Sequence, residues 1–239
     1  MQIGFATYLT EAYIQGYEAL LYSLQKNNEW FNNDFVVLHQ PGFTEKERCL
    51  KAYKNTKFLE VQEDRYKHLD VSKAPVGFAR CARKIDLYRI DQYDRLVMID
   101  VDMICVRDIS NVFKIKGEIF AGWRPKGHYN IGFILIDKKF LGEHIRDDIL
   151  SKCPKGSRQL DQDMFNSYFK GKITRLPDQY NVKHYKHYCQ KYGKNKVKII
   201  HFQHNNPWHE SRRNVWHKSP WKIWWRYYNE YTHNNLCES

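Results

Sequence analysis

Through its first hundred residues the chain alternates short apolar runs with longer segments of helical periodicity. The runs Ile3–Tyr8, Phe35–His39, Lys57–Val61 and Leu96–Ile99 have the length of buried strands. Between them, helical spacing covers about Glu11–Lys26, where Tyr13, Tyr17, Leu20, Leu21 and Leu24 share one face, and about Gly77–Gln92. Thr44 and Glu47 have capping-box spacing and predict a helix running to about Tyr53. This alternation predicts an α/β protein whose mostly parallel sheet carries helices on both faces.

The second half changes character. Glu118–Trp123 and Ile131–Asp137 read as strands of a mixed sheet, Lys139–Leu150 and Leu160–Phe169 as helices, and Lys196–His201 as a last strand. From Pro207 onward an irregular aromatic and basic tail holds one helix near Trp221–Tyr231. There is no internal repeat, low-complexity segment or clear linker, so a single domain is expected for 239 residues.

The chemistry concentrates where the run Leu96–Ile99 ends in two carboxylates, Asp100 and Asp102. Ligands of open α/β sheets bind beyond the carboxyl ends of the strands. Residues i and i+2 of an extended segment point the same way. Two converging carboxylates repel one another unless a cation lies between them. A third ligand is expected from another strand end, and His201, closing the run Val197–Ile200, is the candidate. Two carboxylates and an imidazole suit Mn²⁺ better than Ca²⁺, which takes six to eight oxygens.

Composition bounds the alternatives. No window approaches the roughly 18 consecutive apolar residues of a membrane span, and no leader pattern opens the chain. The six cysteines are scattered without a C-x-x-C pair, which argues against a zinc cluster or disulfide framework. A cytoplasmic, unsecreted protein with reduced thiols is expected. The formal charge of +12 is uneven, with 11 Lys or Arg against 3 acidic residues from Lys183 to the end. That stretch also holds Trp208, Trp216, Trp221, Trp224 and Trp225. Such a tail suits a peripheral position on anionic lipid, stacking on sugar rings, or packing on the domain with a solvated basic face.

Several motifs in order make the chain resemble glycosyltransferase family 8. They are the segment Phe5–Tyr13, Lys84 sixteen residues before Asp100, Asp100-Val-Asp102, Tyr129-Asn-Ile-Gly132, Leu160-Asp-Gln-Asp163 and His201-Phe-Gln-His-Asn-Asn-Pro-Trp208. The resemblance runs from Ile3 to about Trp208 and implies a GT-A fold with a Rossmann-like central sheet. It implies a retaining transfer of a hexose from a UDP-sugar, UDP-glucose or UDP-galactose favoured, to a glycan, glycolipid or glycoprotein acceptor. Mn²⁺ is the implied cofactor, with Mg²⁺ as the alternative, held by Asp100, Asp102 and His201. By the same resemblance, Thr7, Leu9, Thr10 and Tyr13 line the uridine site, and Lys84, Asp100, Val101, Asp102, Asn130, Gly132 and His204 complete the donor site with Asp161 and Gln162. Gln162 and Asp161 are the catalytic candidates, Gln162 near the anomeric carbon. An amide is a poor nucleophile, so same-face attack is chemically more natural than double displacement.

The last motif departs from the family pattern. Its loop is one residue shorter before Pro207-Trp208, His204 stands where the family has Gly, and Asn205-Asn206 replace a segment ending in Lys. His204, Arg212 or Arg213 are candidates to take over phosphate contacts. The expected layout is a catalytic domain over 1–208 and a tail over 209–239. Two other functions compete. A pI near 9.3 and the aromatic, basic tail suggest nucleic-acid binding, although no helix-turn-helix, RNP or zinc signature accompanies them. An Asp-x-Asp pair also serves metal-dependent phosphoryl or nucleotidyl transferases.

Overall fold

The computed structural model describes residues 1–69, 80–124, 127–153, 160–203, 206–209 and 220–237, with side chains to 234. Among the described residues nine strands form: β1 (Ile3–Leu9), β2 (Phe35–His39), β3 (Thr56–Glu60), β4 (Arg95–Ile99), β5 (Met103–Cys105), β6 (Ile119–Trp123), β7 (Tyr129–Asp137), β8 (Thr174–Leu176) and β9 (Ile199–His201). The main sheet has the order β3-β2-β1-β4-β7-β6-β8. Its β3-β2-β1-β4 half is parallel, and β7 pairs antiparallel with both β4 and β6. Strands β5 and β9 make a separate antiparallel pair.

Both faces of the main sheet are covered, which is why its central strands read as continuous apolar runs rather than alternating ones. On one face α1 (Ile14–Asn27) lays Ile14, Tyr17, Leu20, Leu21 and Leu24 against Phe5, Phe35 and Val97. Helix α2 (Lys46–Ala52) packs at its edge. On the other face lie the 3₁₀ segment Ala82–Arg89, α3 (Glu143–Ser151) and α4 (Leu160–Tyr168), burying Ile85, Ile149, Met164 and Phe165 against Leu96 and Ile134. A short helix, α5 (Tyr185–Tyr192), precedes β9.

The last helix, α6 (Trp221–Cys237), packs Trp224, Tyr227 and Tyr231 inward, a spacing that puts them on one helical face. Asn27 Nδ2 donates to Tyr227 Oη at 2.9 Å and Lys26 pairs with Glu230 at 2.6 Å, fastening α6 to α1. Lys222 and Arg226 stay exposed. The described cysteines, Cys49, Cys81, Cys105, Cys153 and Cys189, form no disulfide. No described helix is long and apolar enough to cross a membrane.

Several expectations need correction. Helix α2 begins at Lys46 with Glu45 at its N-cap and no side-chain cap bond, so the Thr44–Glu47 capping box does not form. Tyr13 ends a 3₁₀ turn, Glu11–Tyr13, and is 38% exposed, so it leaves the core stripe that Tyr17 continues. The helix expected to reach Gln92 is, where described, 3₁₀ over Ala82–Arg89; residues 77–79 lie outside the described segments. The last strand shrinks to Ile199–His201 behind a 3₁₀ turn, Lys194–Lys196, and it pairs with β5 rather than joining the main sheet. Helix α6 runs six residues past the expected Tyr231.

Candidate active site

Asp100 and Asp102 are not strand residues. They lie in the turn between β4 and β5, and the side chain they flank, Val101, is buried in the core. Convergence therefore comes from the turn, not from an extended i, i+2 pair. Asp100 N–H donates to Gly132 O at 2.8 Å, tying the turn to β7. Phe202 N–H donates to Asp102 O at 2.8 Å, and Met103 pairs with His201, tying it to β9. His201 is thus delivered by the small sheet, not by a strand end of the large one. The result is the expected triplet: ligand atoms of Asp100, Asp102 and His201 all lie within 4.8 Å of one another. His201 Nε2 stands 3.3 Å from Asp102 Oδ1.

Lys84 is no solvated helix lysine. Its Nζ is 2.7 Å from Asp100 Oδ1 and 3.7 Å from Asp161 Oδ2. Burial opposes its charge, but Asp100 and Asp161 outweigh burial and hold its pKa well above the ordinary lysine value. Burial pushes the Asp161 carboxyl up to about 6, with Lys84 pulling back and Asp100 adding to the rise. Burial also works against the Asp102 charge, yet His201 and Lys84 hold its pKa below the usual aspartate value. Three carboxyl groups crowd around one ammonium, an acidic excess of the kind a divalent cation would offset. The donor set of two carboxylates and one imidazole fits such an ion.

The 3₁₀ segment bearing Lys84 is anchored by a buried ion pair that the sequence reading missed. Asp86 and Arg146, both fully buried, meet at 2.7 Å, and Asp86 also accepts from Tyr66 Oη at 2.8 Å and Gln62 N–H at 2.7 Å. A buried charge pair is tolerated when its remaining lone pairs are hydrogen-bonded.

The neutral side of the site is a row of amides. Asn130, 3% exposed on β7, donates from Nδ2 to Gln162 Oε1 at 3.2 Å. Its Oδ1 accepts from Asn181 Nδ2 at 2.7 Å and from Gly132 N–H at 3.3 Å. Asn181 Oδ1 lies 2.9 Å from His201 Nδ1. The β6–β7 register shifts between Ala121 and Gly122, a bulge of the kind that re-aims side chains beside functional sites. Gly132 is required here, since a Cβ would stand 2.4 Å from His201 Cε1. No motif or periodicity in the sequence singled out Asn181.

The expected uridine residues sit at and beyond the carboxyl end of β1. Thr7 is 1% exposed and its Oγ1 has no hydrogen-bond partner. Leu9 is wholly buried in the core, leaving only its backbone to face a ligand, and Thr10 is half-buried. Tyr13 packs edge-on against Trp208, centroids 5.6 Å apart, and Trp208 donates from Nε1 to Ala12 O at 3.1 Å. Trp208 rests on Gly16, where a Cβ would come within 2.6 Å of its ring. A small cavity beside the acidic turn is lined by Tyr8, Lys84, Tyr88, Ile99, Asp100 and Ile131. His204, Arg212 and Arg213 lie outside the described residues.

Fold and site together define a GT-A glycosyltransferase architecture. The resemblance to glycosyltransferase family 8 holds: the family described as Glycosyl transferase family 8 matches residues 121–212, which take in Asn130, Gly132, Asp161, Gln162 and His201. The galactosyltransferase LgtC, solved with donor and acceptor sugar analogues, superposes with a TM-score of 0.73 at 16% identity, covering 96% of each chain. The glycosyltransferase GlyE of Streptococcus pneumoniae gives 0.67 at 20% identity, over 95% of this chain and 60% of GlyE. By sequence, the chain is 24% identical to the uncharacterized protein R707 of Acanthamoeba polyphaga mimivirus, over 84% of this chain and 80% of R707. It is also 24% identical to glycogenin of Neurospora crassa, over 64% of this chain and 23% of that protein.

Proposed function

We propose that this protein transfers a hexose from a UDP-sugar to a carbohydrate-bearing acceptor, with retention at the anomeric carbon and with Mn²⁺ as cofactor. The observation that carries this reading is the convergence of Asp100, Asp102 and His201 beside Lys84 and Asp161. The family match supports glycosyl transfer. In this reading Asp100, Asp102 and His201 hold the cation. A bound divalent cation supplies Lewis-acid stabilisation of a diphosphate leaving group. Lys84 adds a fixed positive charge on the same side and positions Asp100 and Asp161. Thr7 Oγ1, buried without a partner, and the backbone of Leu9 and Thr10 receive the nucleoside. Asn130, Asp161 and Gln162 face the sugar, where buried polar groups discriminate hydroxyls because leaving one unpaired is costly. Gln162 Oε1 already accepts a hydrogen bond from Asn130, which lowers its nucleophilicity and favours same-face attack.

The test is a panel of nucleotide sugars with Mn²⁺, read as nucleotide release. Slow hydrolysis of one UDP-sugar, abolished by chelation, is expected; no turnover with any donor sinks the reading. Nucleotide triphosphates in the same panel separate nucleotidyl transfer, and retention on single-stranded nucleic acid at high salt separates nucleic-acid binding. The inward packing of Trp224, Tyr227 and Tyr231 supports a tail fastened to the domain over 1–208. Sedimentation with anionic vesicles tests a residual contact through Lys222 and Arg226. A cytoplasmic location is part of the proposal, checked by fractionation.

A further inference from the structure

His201, Asn181, Asn130 and Gln162 are hydrogen-bonded in a row, and the direction of every bond in that row follows from one backbone group. Gly132 N–H donates to Asn130 Oδ1 at 3.3 Å. A backbone N–H can only donate, so Asn130 must face it with oxygen. Its Nδ2 is then turned to Gln162 Oε1, 3.2 Å away. The same Asn130 oxygen receives Asn181 Nδ2 at 2.7 Å, which turns the Asn181 oxygen toward His201 Nδ1 at 2.9 Å. A carboxamide oxygen only accepts. Neutral His201 therefore carries its proton on Nδ1 and keeps the Nε2 lone pair on the side of Asp102, where a cation needs it.

We propose that Asn181 is a positioning residue that sets the His201 tautomer and, as the second donor beside Gly132 N–H to Asn130 Oδ1, holds Asn130 in the orientation that aligns the Gln162 carboxamide, so that the metal and sugar halves of the site are arranged together. The inference rests on the glycosyl-transfer reading for the role of Gln162, but not for the tautomer. Asparagine is required because the position needs an acceptor on one side and a donor on the other. Aspartate supplies only the first. The backbone there is held by His201 N–H donating to Val182 O and Val182 N–H donating to Ile199 O, both at 3.0 Å. Asn181 is 6% exposed, and a Cβ on Gly122 would stand 2.7 Å from its Nδ2, so the space is shaped to the amide.

The test uses the full chain and three readouts: the Mn²⁺ dissociation constant by electron paramagnetic resonance, the His201 tautomer by ¹⁵N NMR of the metal-free protein above pH 8, and donor hydrolysis. Asn181→Asp keeps the acceptor for His201. It is expected to retain the Nδ1–H tautomer and Mn²⁺ affinity within about threefold, while kcat falls about tenfold or more as Gln162 loses its alignment. Asn181→Ala removes both bonds and is expected to weaken Mn²⁺ binding roughly 10–100-fold, the range for partners behind a metal ligand. Equal effects of the two substitutions on Mn²⁺ affinity would reduce Asn181 to packing and overturn the proposal. So would wild-type His201 protonated on Nε2 alone, a result that needs no variant to fold. If the wild type turns over no donor, the glycosyl-transfer reading fails while the Mn²⁺ and tautomer measurements still judge Asn181.

Discussion

The charged wing of the site, Lys84 with Asp100 and Asp161, and the neutral wing, from His201 through Asn181 and Asn130 to Gln162, bury polar groups by opposite means. In the neutral wing each amide meets a complementary partner inside the protein, and no net charge is left. In the charged wing one ammonium faces two carboxylates, with Asp102 close behind. One wing is complete as it stands. The other keeps more carboxylates than cations. This contrast explains why the two wings would answer a ligand differently: amides paired within the protein need nothing further, whereas crowded carboxylates in a buried setting are costly, a cost that a bound cation would relieve.

The comparison breaks first at the carboxylates. Asp100→Asn with Asp102→Asn is expected to weaken Mn²⁺ binding by more than roughly 100-fold, beyond the range for partners behind a ligand, measured by titration calorimetry. Next is Lys84→Met, which strands Asp100 and Asp161 without their ammonium. The metal-free fold should lose about 3–5 kcal/mol in urea unfolding, with part of the loss recovered at saturating Mn²⁺. An unchanged urea midpoint would mean that Lys84 is not the internal counter-charge.

Asp161→Asn should act in the opposite sense. The folded pKa of Asp161 stands at about 6, above the ordinary value of 3.8, so the native state binds its proton more tightly than the unfolded chain. Stability from this group is full below the unfolded value and falls as pH rises through that window. The variant should therefore be more stable than wild type above pH 6, by up to about 3 kcal/mol, with the gain vanishing below about pH 4. Metal-free urea curves at a series of pH values decide it, and a variant less stable at pH 8 contradicts the sign. The smallest effect is expected in the neutral wing. Gly132→Ala pushes a methyl into His201, with a cost of about 1–3 kcal/mol and weaker Mn²⁺ binding, readable by thermal melts with and without the ion.

Much of this site is legible before folding. Asp100, Asp102 and His201 stand out by residue type and place, Lys84, Asn130, Asp161 and Gln162 by the motifs that resemble glycosyltransferase family 8, and the structure brings the seven together. What was misread concerns pairing. The acidic pair looked like the extended end of β4 but is a turn, because Asp100 N–H and Asp102 O bond to two different sheets. His201 looked like a strand end of the main sheet because an apolar run carries no record of its neighbour. Tyr13 fitted the periodicity of α1, yet the first turn is 3₁₀ and rotates it outward.

Local periodicity and side-chain chemistry suffice for the α/β alternation and for Asp100, Asp102 and His201 as a candidate donor set for a cation. The residues that flank it, Lys84, Asn130, Asp161 and Gln162, are legible through the resemblance to glycosyltransferase family 8. It took the folded chain to place His201 on a two-stranded sheet, to anchor the segment bearing Lys84 through Asp86 and Arg146, and to join His201 to Asn130 through Asn181. Each of those rests on hydrogen bonds between residues 20 to 100 positions apart, from Asn181 to His201, from Arg146 to Asp86 and from Phe202 N–H to Asp102 O. Strand register and turn geometry choose such partners, and neither is written in the residues of one segment alone.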